Sequence, residues 1–133
     1  MTIGVLLVSH EPLGHVMLDI SVQTLSICSL ATRVLGVSLD ESPDTLTIRA
    51  EKMVAELNSG DGVLILTDLC GATPSNIACR FAHLNDVMVV AGLNLPMLIR
   101  VLNYPELSLL EMAERAVDGG RQGVMLLPDC TKF

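Results

Sequence analysis

The sequence predicts an α/β protein: a doubly wound, open sheet of four parallel strands in the order 2-1-3-4. Three observations carry this. Short runs rich in Val, Leu and Ile have the unbroken hydrophobicity of strands buried on both faces. Stretches of helical length separate them, so the connections are crossovers rather than hairpins. The most informative run, Val63-Leu64-Ile65-Leu66-Thr67, ends at Asp68 and turns through Gly71 into a helix start at Thr73-Pro74. A carboxylate, a tight loop and a helix start then meet at the carboxyl end of a central strand, where open α/β sheets form their sites.

In chain order, Ile3 to Val8 is the first strand, interrupted by Ser9-His10-Glu11-Pro12. Leu13 to Leu30 has helical length and apolar positions beyond one stripe, so this helix is expected to be covered on more than one side. Arg33 to Leu39 is the second strand. Ser42-Pro43 starts the second helix, whose Leu46, Ala50, Met53, Val54 and Leu57 recur at helical spacing. Val63 onward is the third strand. Thr73 reads as N-cap and Pro74 as first residue of a helix to about His83. Val87 to Ala91 is the fourth strand. Asn94 caps the next helix, which Tyr104-Pro105 breaks. Ser108-Leu109-Leu110-Glu111 fits a capping box. Leu109, Leu110, Ala113, Ala116 and Val117 form the buried stripe of the last helix, which Gly119-Gly120 should stop. Gly123 to Leu127 reads as a short final strand, and 128–133 as a tail.

The 133 residues suffice for one domain with a proper core. They are 50% hydrophobic but 2% aromatic, so the core must be aliphatic. A net charge of -7 argues against nucleic acid and anionic membranes as partners. The longest apolar candidate span, Val87 to Leu102, is broken by Asn94, Pro96 and Arg100, so no direct membrane insertion is expected. The N-terminus reads as a strand rather than a signal peptide. Cys28, Cys70, Cys79 and Cys130 have no zinc-site spacing and read as reduced thiols of a cytoplasmic protein.

In the order 2-1-3-4 the switch point lies between the first and third strands, which brings His10 beside Asp68. A lone strand-end His usually does no more than hydrogen-bond a loop, and Asp is a common turn-former. A carboxylate on one ring nitrogen, however, fixes the tautomer and leaves the other nitrogen free as nucleophile or base. The helix starts after His10 and Thr73 suit an anion, so the combination favours phosphoryl chemistry. His15 and His83 read as helix-face and helix-end residues. A metal site from His10, His15, Asp68, Cys70 or Cys79 matches no known ligand spacing, and no metal or cofactor is expected. Nucleotide fingerprints are absent. A receiver domain would also carry an Asp after strand three. It would need further acidic residues after strand one and a late Lys, whereas Ser9-His10 is followed by the single Glu11, and Lys132 lies in the tail. A regulatory interaction module without turnover is a further alternative.

The chain resembles the enzyme IIA domain of the mannose class of the bacterial sugar phosphotransferase system. The resemblance spans Thr2 to Leu127 and rests on Val5 to His10, on Asp68 to Asn76, on Ala91 to Leu98 and on Gly120 to Val124. It implies a IIA domain over 1–127 that is a phosphotransferase with a phosphohistidine intermediate. His10 would accept a phosphoryl group from the histidine-containing phosphocarrier protein and pass it to a IIB partner, on a separate chain. Asp68 would orient His10, and Thr73 with backbone amides around Gly71 and Ala72 would contact the phosphoryl group. The resemblance also implies a homodimer in which the last strand pairs with the neighbour's sheet. Two departures stand out. Many members have Gly after the active His, where this chain has Glu11-Pro12. Glu11 must point away from the phosphoryl group or weaken the phosphorylated state. Ala72 stands where a second Gly is frequent.

Overall fold

Along the first strand, successive side chains divide between two hydrophobic layers. Val5 and Leu7 enter one, Leu6 and Val8 the other, as the two-residue period of extended chain requires. The computed structural model describes residues Thr2–Pro128. Its elements are β1 (Gly4–His10), α1 (Leu13–Leu25), β2 (Thr32–Val37), α2 (Pro43–Leu57), β3 (Val63–Thr67), α3 (Thr73–Cys79), β4 (Val87–Ala91), α4 (Leu95–Leu102) and α5 (Leu109–Gln122). The strands form one parallel sheet in the order β2-β1-β3-β4, and the switch point falls between β1 and β3 as expected.

One layer packs Leu64, Leu66 and Val90 of the sheet against Leu98, Met112 and Ala116 of α4 and α5, with Met17 and Leu18 of α1 at its margin. The other packs Leu35, Ile65 and Val87 against Leu46 and Ala50 of α2 and Ile77 of α3. Both layers are aliphatic apart from Phe81. The caps anticipated at Ser42, Asn94 and Ser108 accept the backbone N–H groups of Thr45, Met97 and Glu111, and Glu111 completes the capping box.

Several boundaries move, each for a local reason. β1 continues through Ser9 and His10, because these residues pair with Gly36 and Val37 of β2. β2 therefore ends at Val37 rather than Leu39. α1 ends at Leu25, where Ser26 turns left-handed at φ 61°. α3 begins at Thr73, so Ala72 occupies the N-cap and the cap has no side-chain hydrogen bond. It stops at Cys79, and turns follow to His83. Gly119-Gly120 does not stop α5. A Cβ on Gly119 would lie 2.8 Å from Arg100 Cβ, and one on Gly120 2.8 Å from Met97 Cε. These glycines let α4 and α5 approach closely. In α5 it is Met112 that is fully buried, while Leu110 is exposed.

The expected final strand at Gly123 to Leu127 is not formed within the chain. Gly123 caps α5, and residues 124–127 pair with no strand among the described residues. Extended backbone needs a partner edge to become a strand, and the segment leaves α5 without meeting one, its Val124, Met125 and Leu126 exposed. Of the expected tail, only Pro128 lies within the described residues. α1 packs on the core through one side, and Leu13, Val16 and Ile20 remain exposed in the single chain.

Candidate functional site

Because β1 and β3 are neighbours in register, with Val8 opposite Thr67, the two strand ends deliver His10 and Asp68 to the same place. Asp68 Oδ2 stands 2.7 Å from His10 Nδ1 and also accepts the His10 backbone N–H at 3.0 Å. Its Oδ1 accepts the Leu69 N–H at 2.9 Å. The carboxylate is nearly enclosed, with 8% of its side chain exposed, whereas the imidazole is 45% exposed. Burial is the largest influence on Asp68 and would raise its pKa. The His10 backbone and ring hydrogen bonds, the ring's charge and the Leu69 amide together outweigh burial and hold the pKa below the usual carboxylate value.

An ionised carboxylate can only accept. The short contact therefore places the ring proton on Nδ1. In the neutral ring that leaves Nε2 as the unprotonated nitrogen, on a side chain open to solvent. This arrangement suits a nucleophile that acquires positive charge as it reacts, because the carboxylate is already in place to balance it.

The loop after Asp68 is held from within. Gly71, at φ 91°, takes a conformation that favours glycine. Its N–H donates to Ser75 Oγ at 2.8 Å, and that hydroxyl donates to Ala72 O at 3.2 Å. The Ala72 N–H donates to Leu69 O. The Gly71 and Ala72 amides are thus engaged inside the loop. Thr73, displaced from the N-cap position, is exposed at the start of α3, and no hydrogen bond among the described residues engages its hydroxyl.

The sequence reading missed two residues here. Ser75 ties the loop to α3, and a Ser two positions into a helix after a glycine turn was a readable signal for it. Gly36 lies under the Glu11 side chain, a long-range neighbour with no local signal at all. Glu11 itself points away from the His10–Asp68 pair, with Oε1 3.6 Å from His15 Nε2. His15 and His83 take no part in the pair.

Among the described residues no group of three or more His, Cys, Asp or Glu is arranged to hold a metal ion. Cys28, Cys70 and Cys79 are exposed and unpaired. Cys130 lies outside the described residues. No helix among them is long and apolar enough to cross a membrane.

A second concavity runs along the open edge of β4. It measures about 940 Å³, and all of β4 lines it together with Cys70 and Cys79 and, from α5, Ala113 and Val117.

Comparison with known proteins identifies the family. Residues 4–117 match the family EIIA-man, described as PTS system fructose IIA component. The chain is 36% identical over 90 residues to the PTS system mannose-specific EIIAB component of Escherichia coli K12. That alignment covers 65% of this chain and 28% of the longer relative. The structure is similar to the mannose/sorbose specific IIA subunit of the phosphotransferase system from Enterococcus faecalis. The TM-score is 0.85 and the identity 25%, covering 97% of this chain and 98% of that one. It is also similar to the PTS IIA protein associated with the fucose utilization operon from Streptococcus pneumoniae. There the TM-score is 0.82 and the identity 27%, covering 95% and 93% of the two chains.

Proposed function

The chain belongs to the mannose-class IIA family of the sugar phosphotransferase system, and we propose that it is a phosphoryl carrier whose acceptor is Nε2 of His10. The observation that carries this reading is the 2.7 Å contact between Asp68 Oδ2 and His10 Nδ1. The phosphoryl donor is a histidine-containing phosphocarrier protein. The acceptor downstream is a IIB component, serving sugar uptake or a regulatory role, and the exchange takes place in the cytoplasm. In the first step Nε2 attacks phosphorus in line with the donor's P–N bond. The Nε2–P bond forms as the P–N bond to the donor breaks, and the electron pair of that bond returns to the donor histidine. The His10 ring becomes cationic, retains its Nδ1 proton, and is balanced by Asp68. The same events run in reverse toward the IIB partner.

No metal is assigned a part, so the phosphoryl oxygens need positioned donors. Thr73 supplies the hydroxyl that is not already engaged. The Gly71 and Ala72 amides are the backbone donors of the proposed seat, and each would exchange its present partner, Ser75 Oγ or Leu69 O, for a phosphoryl oxygen.

The proposal extends to assembly. Among the described residues β4 ends the sheet with an unpaired edge, a feature proteins seldom leave uncovered. After α5 the same chain carries an exposed apolar segment, Val124 to Leu127. A two-fold homodimer in which each chain lays that segment along the other's β4 satisfies both.

The test is a relay with purified carrier components and labelled phosphoenolpyruvate. The product should be a phosphoramidate, labile in acid and stable in alkali. Label that persists in His10→Ala, or that hydroxylamine releases at neutral pH, would show that the acceptor is not this histidine.

A further inference from the structure

Glu11 carries the charge least suited to this chemistry, one residue from the acceptor. The sheet order decides where that charge goes. β1 lies between β2 and β3, and the His10 ring leans toward β3 to reach Asp68. Glu11 leans the other way. Its backbone N–H donates to Val37 O of β2 at 3.1 Å. Its side chain lies flat over Gly36, one residue earlier in β2. A Cβ placed on Gly36 would stand 2.2 Å from Glu11 Oε1, 2.5 Å from its carboxyl carbon and 2.6 Å from its Cγ. No side chain other than hydrogen leaves that space. Gly36 is buried, and its backbone is not in the left-handed region, so conformation alone does not demand glycine here.

We propose that Gly36 is a positioning residue for the His10 reaction: its missing side chain seats the Glu11 carboxylate on the β2 flank and keeps that charge off a phosphoryl group on the β3 flank. The inference rests on the functional reading above. His15, one helical turn on, faces the seated carboxylate at 3.6 Å. Both side chains are about half exposed, so this pair adds little hold. The seat works chiefly by shape.

The experiment compares the native chain with Gly36→Ala, Glu11→Gln and the double variant, with thermal melting as a check on folding. The first readout is a nuclear Overhauser contact between the Glu11 γ protons and the Gly36 α protons in the native chain. The second is the rate of phosphoryl acceptance from the carrier protein. Gly36→Ala should slow acceptance roughly tenfold, as a like charge brought close does. Adding Glu11→Gln should restore the rate to within about twofold, because the displaced group is then neutral. Glu11→Gln alone should change little, since the charge is already seated away. The inference is overturned if the native contact is absent, if Gly36→Ala accepts at the native rate, or if its slowness persists in the double variant, which would mark Gly36 as merely structural. A native chain that accepts no phosphoryl group overturns the functional reading and this role with it, while the proton contact still reports separately whether the seat exists.

Discussion

The β1–β3 end of the sheet and the β4 edge differ in how much one chain completes. At the first, Asp68 is fully partnered by His10 and Leu69, and the loop beyond it is closed by Ser75. At the second, among the described residues, an open strand edge and an apolar groove face outward, and the exposed residues 124–127 find no partner strand. The His10–Asp68 pair is thus formed within one chain, although the Gly71 and Ala72 amides are still engaged inside the loop. Unpaired backbone and uncovered apolar surface instead point to assembly. The two regions should therefore respond to different perturbations, and four variants test that separation.

The largest effect belongs to the first region. His10→Ala should abolish phosphoryl acceptance while leaving the oligomeric state unchanged, as read by labelling and by sedimentation. A monomeric His10→Ala protein would show that the regions are coupled.

Asp68→Asn comes next. The amide can still pair with Nδ1 but cannot balance the imidazolium. A charge-assisted hydrogen bond is worth roughly 1.5–3 kcal/mol, so transfer should slow by about one to two decades. The same carboxylate carries a pH signature. Its folded pKa lies below the ordinary value, which is about 4 for Asp. Its contribution to stability is therefore complete above that ordinary value and is lost as pH falls through the lower folded one. The native protein should melt above Asp68→Asn at neutral pH, and the gap should close in acid. A gap that stays constant on acidification would mean the pair adds nothing to the fold.

Deleting residues 124–133 addresses the second region. Loss of the apolar segment should weaken the homodimer by at least about tenfold, since burying even one large aliphatic side chain is worth roughly 1.5–3 kcal/mol. Acceptance by His10 should survive within a few-fold. A truncated chain that still sediments as a tight dimer would move the interface elsewhere, with the exposed face of α1 as the next candidate.

The same contrast explains what could be read from the sequence. Four apolar runs and three side-chain caps gave the sheet, its order and most helix starts, because they are local signals. The pairing of His10 with Asp68 followed from strand order alone. What escaped depended on contacts remote in sequence. Gly119 and Gly120 looked like a helix stop, but their role is to admit Arg100 and Met97 of α4. Thr73 looked like a cap, but Ser75 holds the loop and the helix starts a residue early. Residues 124–127 looked like a strand, and no edge among the described residues receives them. Gly36 had no reading at all until Glu11 was seen lying on it.

Cys70 touches both regions, as Ser75 does, and its prediction is the smallest. It follows Asp68 by two positions, and it also lines the groove beside β4. An exposed thiol beside a reactive loop invites a chemical role. The geometry assigns it none: no hydrogen bond among the described residues links its sulfur to His10 or Asp68, and no metal-ligand cluster includes it. Cys70→Ser keeps the side chain's shape and removes the sulfur. Acceptance should stay within about twofold of native, because the proposed transition state gains nothing from this position. Dimer affinity should shift by less than about tenfold, since one polar exchange at a groove margin typically costs under ~1.4 kcal/mol. Loss of acceptance in a folded Cys70→Ser protein would replace the histidine–carboxylate mechanism with one that needs the thiol. A dissociated dimer with intact acceptance would instead sharpen the division, placing Cys70 with the β4 edge rather than with the loop that carries Asp68.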